Sequence, residues 1–220
     1  MSIAGLRVMG IDPGLTRCGL SVVQAGRGRQ VLPIAVGVVR TPVHADLPRR
    51  LLELSDAVNE WMDQYQPDVV AIERVFERGN VSTVMQTAHG VGVLMLAAAQ
   101  RELEVFMYTP SEVKKAISGN GRADKKQMTS MITRILGLAE PPKPADAADA
   151  MALAVCHCWR APLIERQGAI EKETETARRR QQGLLGQAKA QSIRAEQQRR
   201  VGQPSSALHT SAEWQGKFTP

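Results

Sequence analysis

The sequence predicts an α/β domain: a mixed five-stranded sheet with helices on both faces, followed by a disordered C-terminal tail. Three observations carry this reading. Three strand-like runs follow one another with only turns between them, which implies an antiparallel meander. Two further strands then alternate with helical segments, which implies parallel neighbours joined by crossovers. Finally, 43% of the 220 residues are apolar but only 4% are aromatic, so the core is aliphatic. A unit of about 160 residues buries enough surface to fold without staples.

Residues 6–11 form an apolar run halted by Pro13 and Gly14, hence a strand. Residues 19–24 and Val31–Arg40 make two more, with Gly26 and Gly28 marking the turn between them. Leu47–Tyr65 carries Leu51, Leu54, Val58, Trp61 and Met62 at three- and four-residue steps, the spacing of an amphipathic helix. Residues 68–73 contain Val69-Val70-Ala71-Ile72, a buried strand after Pro67. Residues 81–100 form a long helix with Asn80 at its N-cap. Its later turns are apolar on nearly every side, so one face covers the sheet and the other needs a partner, a two-fold copy being the simplest. Residues 105–109 are the fifth strand. Pro110 opens a short helix to about 117, Gly119 and Gly121 form a loop, and helices follow at 125–136 and 145–160.

Composition changes after Pro162. Residues 163–220 hold ten basic and six acidic residues, +4 of the total +6, and few large apolar side chains. Such a segment cannot build a core. The organisation expected is therefore a domain over 1–162 and a basic tail over 163–220, with transient helix around 170–200. Three cysteines, Cys18, Cys156 and Cys158, exclude a disulfide scaffold and suit a reducing compartment. Cys156-His157-Cys158 lacks a fourth ligand at zinc spacing. Arg7 and Asp12 interrupt any N-terminal signal, and only residues 90–99 are nearly all apolar, too short for a bilayer. The expectation is a cytoplasmic protein with no membrane contact.

The carboxylates point to chemistry. Asp12 and Glu73 each end a buried strand, and Asp146 and Asp149 lie three apart at the start of a helix, on one face. Burying a charge is expensive unless it is paired or binds a metal. If the first and fourth strands are neighbours, all four carboxylates can share a pocket, and their repulsion is relieved by Mg²⁺, which takes oxygen ligands. Two such ions suit in-line phosphoryl displacement. Taken singly, Asp12 fits a turn residue, and Asp146 and Asp149 fit first-turn acids favoured by the helix dipole. Asp12-Pro13-Gly14-Leu15-Thr16 also suggests the phosphate loop of actin-like ATPases, but those folds need two such domains and a second loop.

Basic residues surround a glycine loop. Lys114, Lys115, Arg122, Lys125 and Lys126 lie within thirteen residues, against Glu112 and Asp124. They read either as a solvated face or as point charges for phosphates. Phe76, three residues after Glu73, reads either as core or as an exposed ring that stacks on an unpaired base.

Gly10-Ile11-Asp12-Pro13-Gly14, Ala71-Ile72-Glu73-Arg74-Val75-Phe76, Val113-Lys114, Gly119-Asn120-Gly121, Ala123-Asp124-Lys125 and Ala145-Asp146-Ala147-Ala148-Asp149-Ala150 occur in this order. Together, over residues 6–160, they resemble the RuvC family of bacterial Holliday-junction resolvases. The resemblance implies a ribonuclease H-like fold and a homodimer joined through helix 81–100. It implies a catalytic and metal-binding set of Asp12, Glu73, Asp146 and Asp149 holding two Mg²⁺ per subunit, with Mn²⁺ as a substitute. Lys114 and Lys125 match lysines needed for activity, and Phe76 matches a junction-stacking aromatic. The implied activity is paired symmetric nicking of four-way junction DNA in recombination and repair, leaving 5′-phosphate and 3′-hydroxyl ends. The RuvA and RuvB branch-migration proteins are the implied partners.

Overall fold

The computed structural model describes residues 4–75 and 81–201. The elements run β1 (Arg7–Asp12), β2 (Arg17–Ala25), β3 (Val31–Arg40), α1 (Leu47–Tyr65), β4 (Val69–Glu73), α2 (Val81–Ala99), β5 (Glu104–Tyr108), α3 (Pro110–Ser118), α4 (Lys125–Ile135) and α5 (Ala145–Val201). This is the expected order, and the strands form one sheet in the order β3-β2-β1-β4-β5. β1 pairs antiparallel with β2 and parallel with β4, β2 pairs antiparallel with β3, and β4 parallel with β5. The sheet is therefore mixed, with the meander on one side and the crossover strands on the other.

Alternation along the strands sorts the core into two layers. Met9, Ile11, Leu20, Val22, Val70 and Ile72 pack with Leu54, Val58 and Met62 of α1 and Leu94, Ala97 and Ala98 of α2. Val8, Val23, Val69 and Ala71 face the other way, onto Val113 and Ile117 of α3, Met128 and Ile132 of α4, and the run Met151–Cys158 of α5. Trp61 of α1 lies against β3 where Gly37 leaves room: a Cβ there would stand 2.8 Å from the indole. A capping box between Thr109 and Glu112 starts α3, and the Asp124 side chain accepts from the Gln127 N–H at the start of α4.

The chain divides into two units, Met1–Arg166 and Gln167–Pro220, and the whole sheet belongs to the first. The end expected for the last helix near residue 160 is corrected. α5 continues through Pro162 to Val201. Proline removes one intrahelical hydrogen bond, but Pro162 is exposed and the sequence after it is rich in Ala, Gln, Glu and Arg, which favour helix. Beyond Ala161 no described side chain is buried, so this extension adds nothing to the core.

α2 has one face on the sheet and one face open, as expected. Its buried residues are Gly90, Val91, Leu94, Ala97 and Ala98, while Val81, Met85, Met95 and Leu96 are open. At 19 residues it is long and apolar enough to meet the length and composition of a membrane span, beyond the ten apolar residues expected, a test that core helices also meet. The expected cap Asn80 and the residue Phe76 lie outside the described residues.

Candidate active site

Parity places the first two carboxylates. In β1, Met9 and Ile11 face α1 and α2, so Asp12 points with Val8 and Gly10 towards α5. The same alternation in β4 turns Glu73 to that side. Ile11 pairs with Ile72 in the parallel register, so Asp12 and Glu73 end neighbouring strands side by side. Their carboxyl groups are hydrogen bonded to each other.

Two glycines bring α5 onto this edge. A Cβ at Gly10 would stand 2.2 Å from the Ala150 carbonyl oxygen, and one at Gly19 would stand 2.1 Å from that of Asp146. Gly19 is the cross-strand partner of Asp12. Only backbone without side chains lets the first turns of α5 lie this close, and Ala147, Ala148, Ala150 and Ala154 keep the helix surface equally slim. Asp146 and Asp149 thereby reach the ends of β1 and β2.

The electrostatics follow from this crowding. Burial, reinforced by Glu73 and Asp149, pushes the Asp12 carboxyl up to about 8. Burial also raises Glu73 and Asp149, and nearby Lys125 and Lys114 pull both back. Lys125 stands 3.7 Å from Asp149, and Arg17 stands 3.1 Å from Asp146. Among the described residues no three His, Cys, Asp or Glu side chains already converge as a finished metal shell. The side-chain partners explain this: Asp12 and Glu73 hold each other through a hydrogen bond, while the other two acids are turned to cations. The donor set nevertheless fits a hard cation, because it is all carboxylate and its charge is poorly tolerated without one.

Of the expected phosphate contacts, the structure brings Lys114 and Lys125 to the carboxylates. Lys115, Arg122 and Lys126 stay exposed around the loop between α3 and α4. Two features escaped the sequence reading. Arg50 of α1, buried and without an acid partner among the described residues, donates from Nε to Thr41 Oγ1 at 2.9 Å and from an η nitrogen to Thr16 Oγ1 at 2.8 Å. Thr41 donates in turn to the Leu15 carbonyl, so the loop after Asp12 is clamped. Its only sequence signal is an arginine on an otherwise apolar helix face. The second is the buried Tyr108 hydroxyl, 2.8 Å from His157 Nδ1. Cys156, His157 and Cys158 are all buried, the two cysteines in the layer packed on α3 and α4, and burial pushes His157 down to about 4 and both thiols up to about 12.

Comparison with known proteins gives the family. A family model described as crossover junction endodeoxyribonuclease RuvC matches residues 8–157. The protein of that name from Corynebacterium glutamicum is 71% identical over 213 residues, covering 96% of each chain. Its counterpart from Corynebacterium diphtheriae is 85% identical over 156 residues, which make up 96% of its own length but 71% of this chain. The structure of Thermus thermophilus RuvC in complex with Holliday junction substrate matches with a TM-score of 0.68 at 33% identity, covering 72% of this chain and 96% of that one. With the sheet, its two helical layers and the start of α5 all inside the matched span, the chain belongs to the RuvC family of crossover junction endodeoxyribonucleases.

Proposed function

We infer that the chain is an endonuclease that resolves Holliday junctions, and we propose that Asp12, Glu73, Asp146 and Asp149 are its catalytic, metal-binding set. The observation that carries the proposal is the meeting of Asp12 and Glu73 on adjacent strand ends under the first turns of α5. Mg²⁺, at two ions per subunit with Mn²⁺ able to replace it, supplies Lewis acidity and an activated water for in-line attack on phosphorus. Asp12 and Glu73 hold the floor of the site, and the fixed strand ends set their spacing. Asp146 and Asp149 close it from the helix. Lys114 and Lys125, already in the field of these acids, neutralise the phosphate whose charge grows during attack. Lys115, Arg122 and Lys126 hold flanking phosphates as exposed point charges. Phe76 stacks on an unpaired base at the crossover.

The junction has two-fold symmetry and needs two nicks, which a homodimer supplies. The open apolar residues Met85, Met95 and Leu96 of α2 support α2 as the dimer surface. We place the enzyme in the cytoplasm with DNA, alongside the RuvA and RuvB branch-migration proteins. The segment 163–220 is read as a basic tail outside the nuclease domain.

The test is cleavage of a synthetic four-way junction with Mg²⁺. Removing even an outer-shell partner of a metal ligand costs 10–100-fold. Asp12→Asn, Glu73→Gln, Asp146→Asn and Asp149→Asn should therefore each cut at less than about one-hundredth of the wild-type rate. Each should bind the junction as well or better, since repulsion of phosphate falls. Near wild-type cleavage by Asp12→Asn overturns the assignment.

A further inference from the structure

Arg17 and Arg40 face each other across β2 and β3 as direct register partners. Like charges set opposite on one sheet face repel, and both side chains are exposed. Arg40 has no ion pair among the described residues. Arg17 spends its charge on Asp146, at 3.1 Å, although its own side chain is 59% exposed and that of Asp146 only 20%. The pair stands at the strand end next to Asp12 and Gly19, on the face where α5 delivers its acids. Two forked cations side by side match the geometry of a phosphate diester.

We propose that Arg17 and Arg40 form a phosphate-binding subsite for the DNA backbone on the β2–β3 side of the carboxylates, and that Arg17 passes from Asp146 to the DNA when a divalent cation takes Asp146. The inference rests on the metal reading of Asp146 given above. In the metal-free protein Arg17 compensates Asp146. A pair whose guanidinium stands open to solvent is weak enough for a divalent cation to displace. Once displaced, the guanidinium lies beside Arg40, where an anion relieves the repulsion between the two. The lysine cluster of α3 and α4 and this arginine pair then grip the backbone from two sides of the cut.

The experiment uses the full chain and two readouts that do not depend on cleavage. The first is the Mg²⁺ concentration that gives half of the metal-induced rise in melting temperature. Arg17→Gln should lower it about two- to five-fold, the range expected for losing an exposed ion-pair competitor. Arg40→Gln removes the same charge without touching Asp146 and should leave it near wild type. The second is the salt dependence of junction binding, with Ca²⁺ replacing Mg²⁺ so that the junction is not consumed. The double variant should lose about two units of log–log slope. In EDTA, where Arg17 stays on Asp146, the loss should be about one unit. An unchanged Mg²⁺ midpoint in Arg17→Gln, an equal shift in Arg40→Gln, or an unchanged slope in the double variant overturns the proposal. If Mg²⁺ does not stabilise wild-type protein at all, the metal reading itself fails, a different outcome from either.

Discussion

Asp12 is destabilised by its own setting, and this has a measurable sign. Its carboxyl is raised from 3.8 to about 8 by burial and by Glu73, so the folded protein favours the protonated form. The stability linked to this group is complete below about pH 4 and is lost as pH rises through about 8. Asp12→Asn should therefore melt higher than wild type in EDTA at about pH 9, by about 2–4 °C, and the difference should vanish near pH 4. Parallel curves of melting temperature against pH would remove the electrostatic account. Asp12 and Glu73 were legible in the sequence because each is a carboxylate closing an apolar strand, an arrangement that is costly without a purpose. Arg17 and Arg50 were not: Arg17 is one exposed strand residue among several, and Arg50 reads only as a polar interruption of the apolar face that runs on through Leu54, Val58 and Met62. Their partners Asp146 and Thr16 stand far away in sequence, and only the folded register brings them close.

At the level of elements, the site depends on how closely α5 approaches the sheet. Gly10 and Gly19 meet backbone oxygens, not flexible side-chain ends, so an added methyl group has nothing to push aside. Gly10→Ala should cost about 1–3 kcal/mol by overpacking. It should also reduce cleavage beyond what the lost stability explains, since lifting α5 moves Asp146 and Asp149 off Asp12. Thermal melts beside cleavage rates measured well below the melting point check this, and a destabilised variant with full activity would contradict it. The sequence showed α1 through its apolar steps and β3 through the glycines that precede it. It did not show that the strand glycines carry a helix, since a glycine in a strand reads equally as a bulge or a bend. The end of α5 was misplaced because Pro162 is a strong local stop signal, overridden here by the helix-favouring residues on either side.

For the molecule as a whole, the compact unit that carries the sheet ends at Arg166. The Corynebacterium diphtheriae relative, 96% covered by 156 aligned residues, has almost no counterpart to the rest of this chain. Truncation after Arg166 should keep a cooperative melt and Mg²⁺-dependent nicking while weakening non-specific DNA binding, because most of the formal net charge leaves with the segment. Loss of cooperative unfolding would show that residues 167–220 support the domain. The mixed sheet was legible because a meander and two crossovers leave few arrangements open. How the two helical layers communicate was not, and here Arg50 has a further consequence. α1 covers the face opposite α5, yet its arginine holds the loop that follows Asp12. The loop thus takes its position from a helix on the face opposite the four carboxylates. Changes in the packing of Leu54 or Val58, remote from every carboxylate, should surface as altered cutting, because the helix that fixes the loop lies across the sheet from the acids it serves.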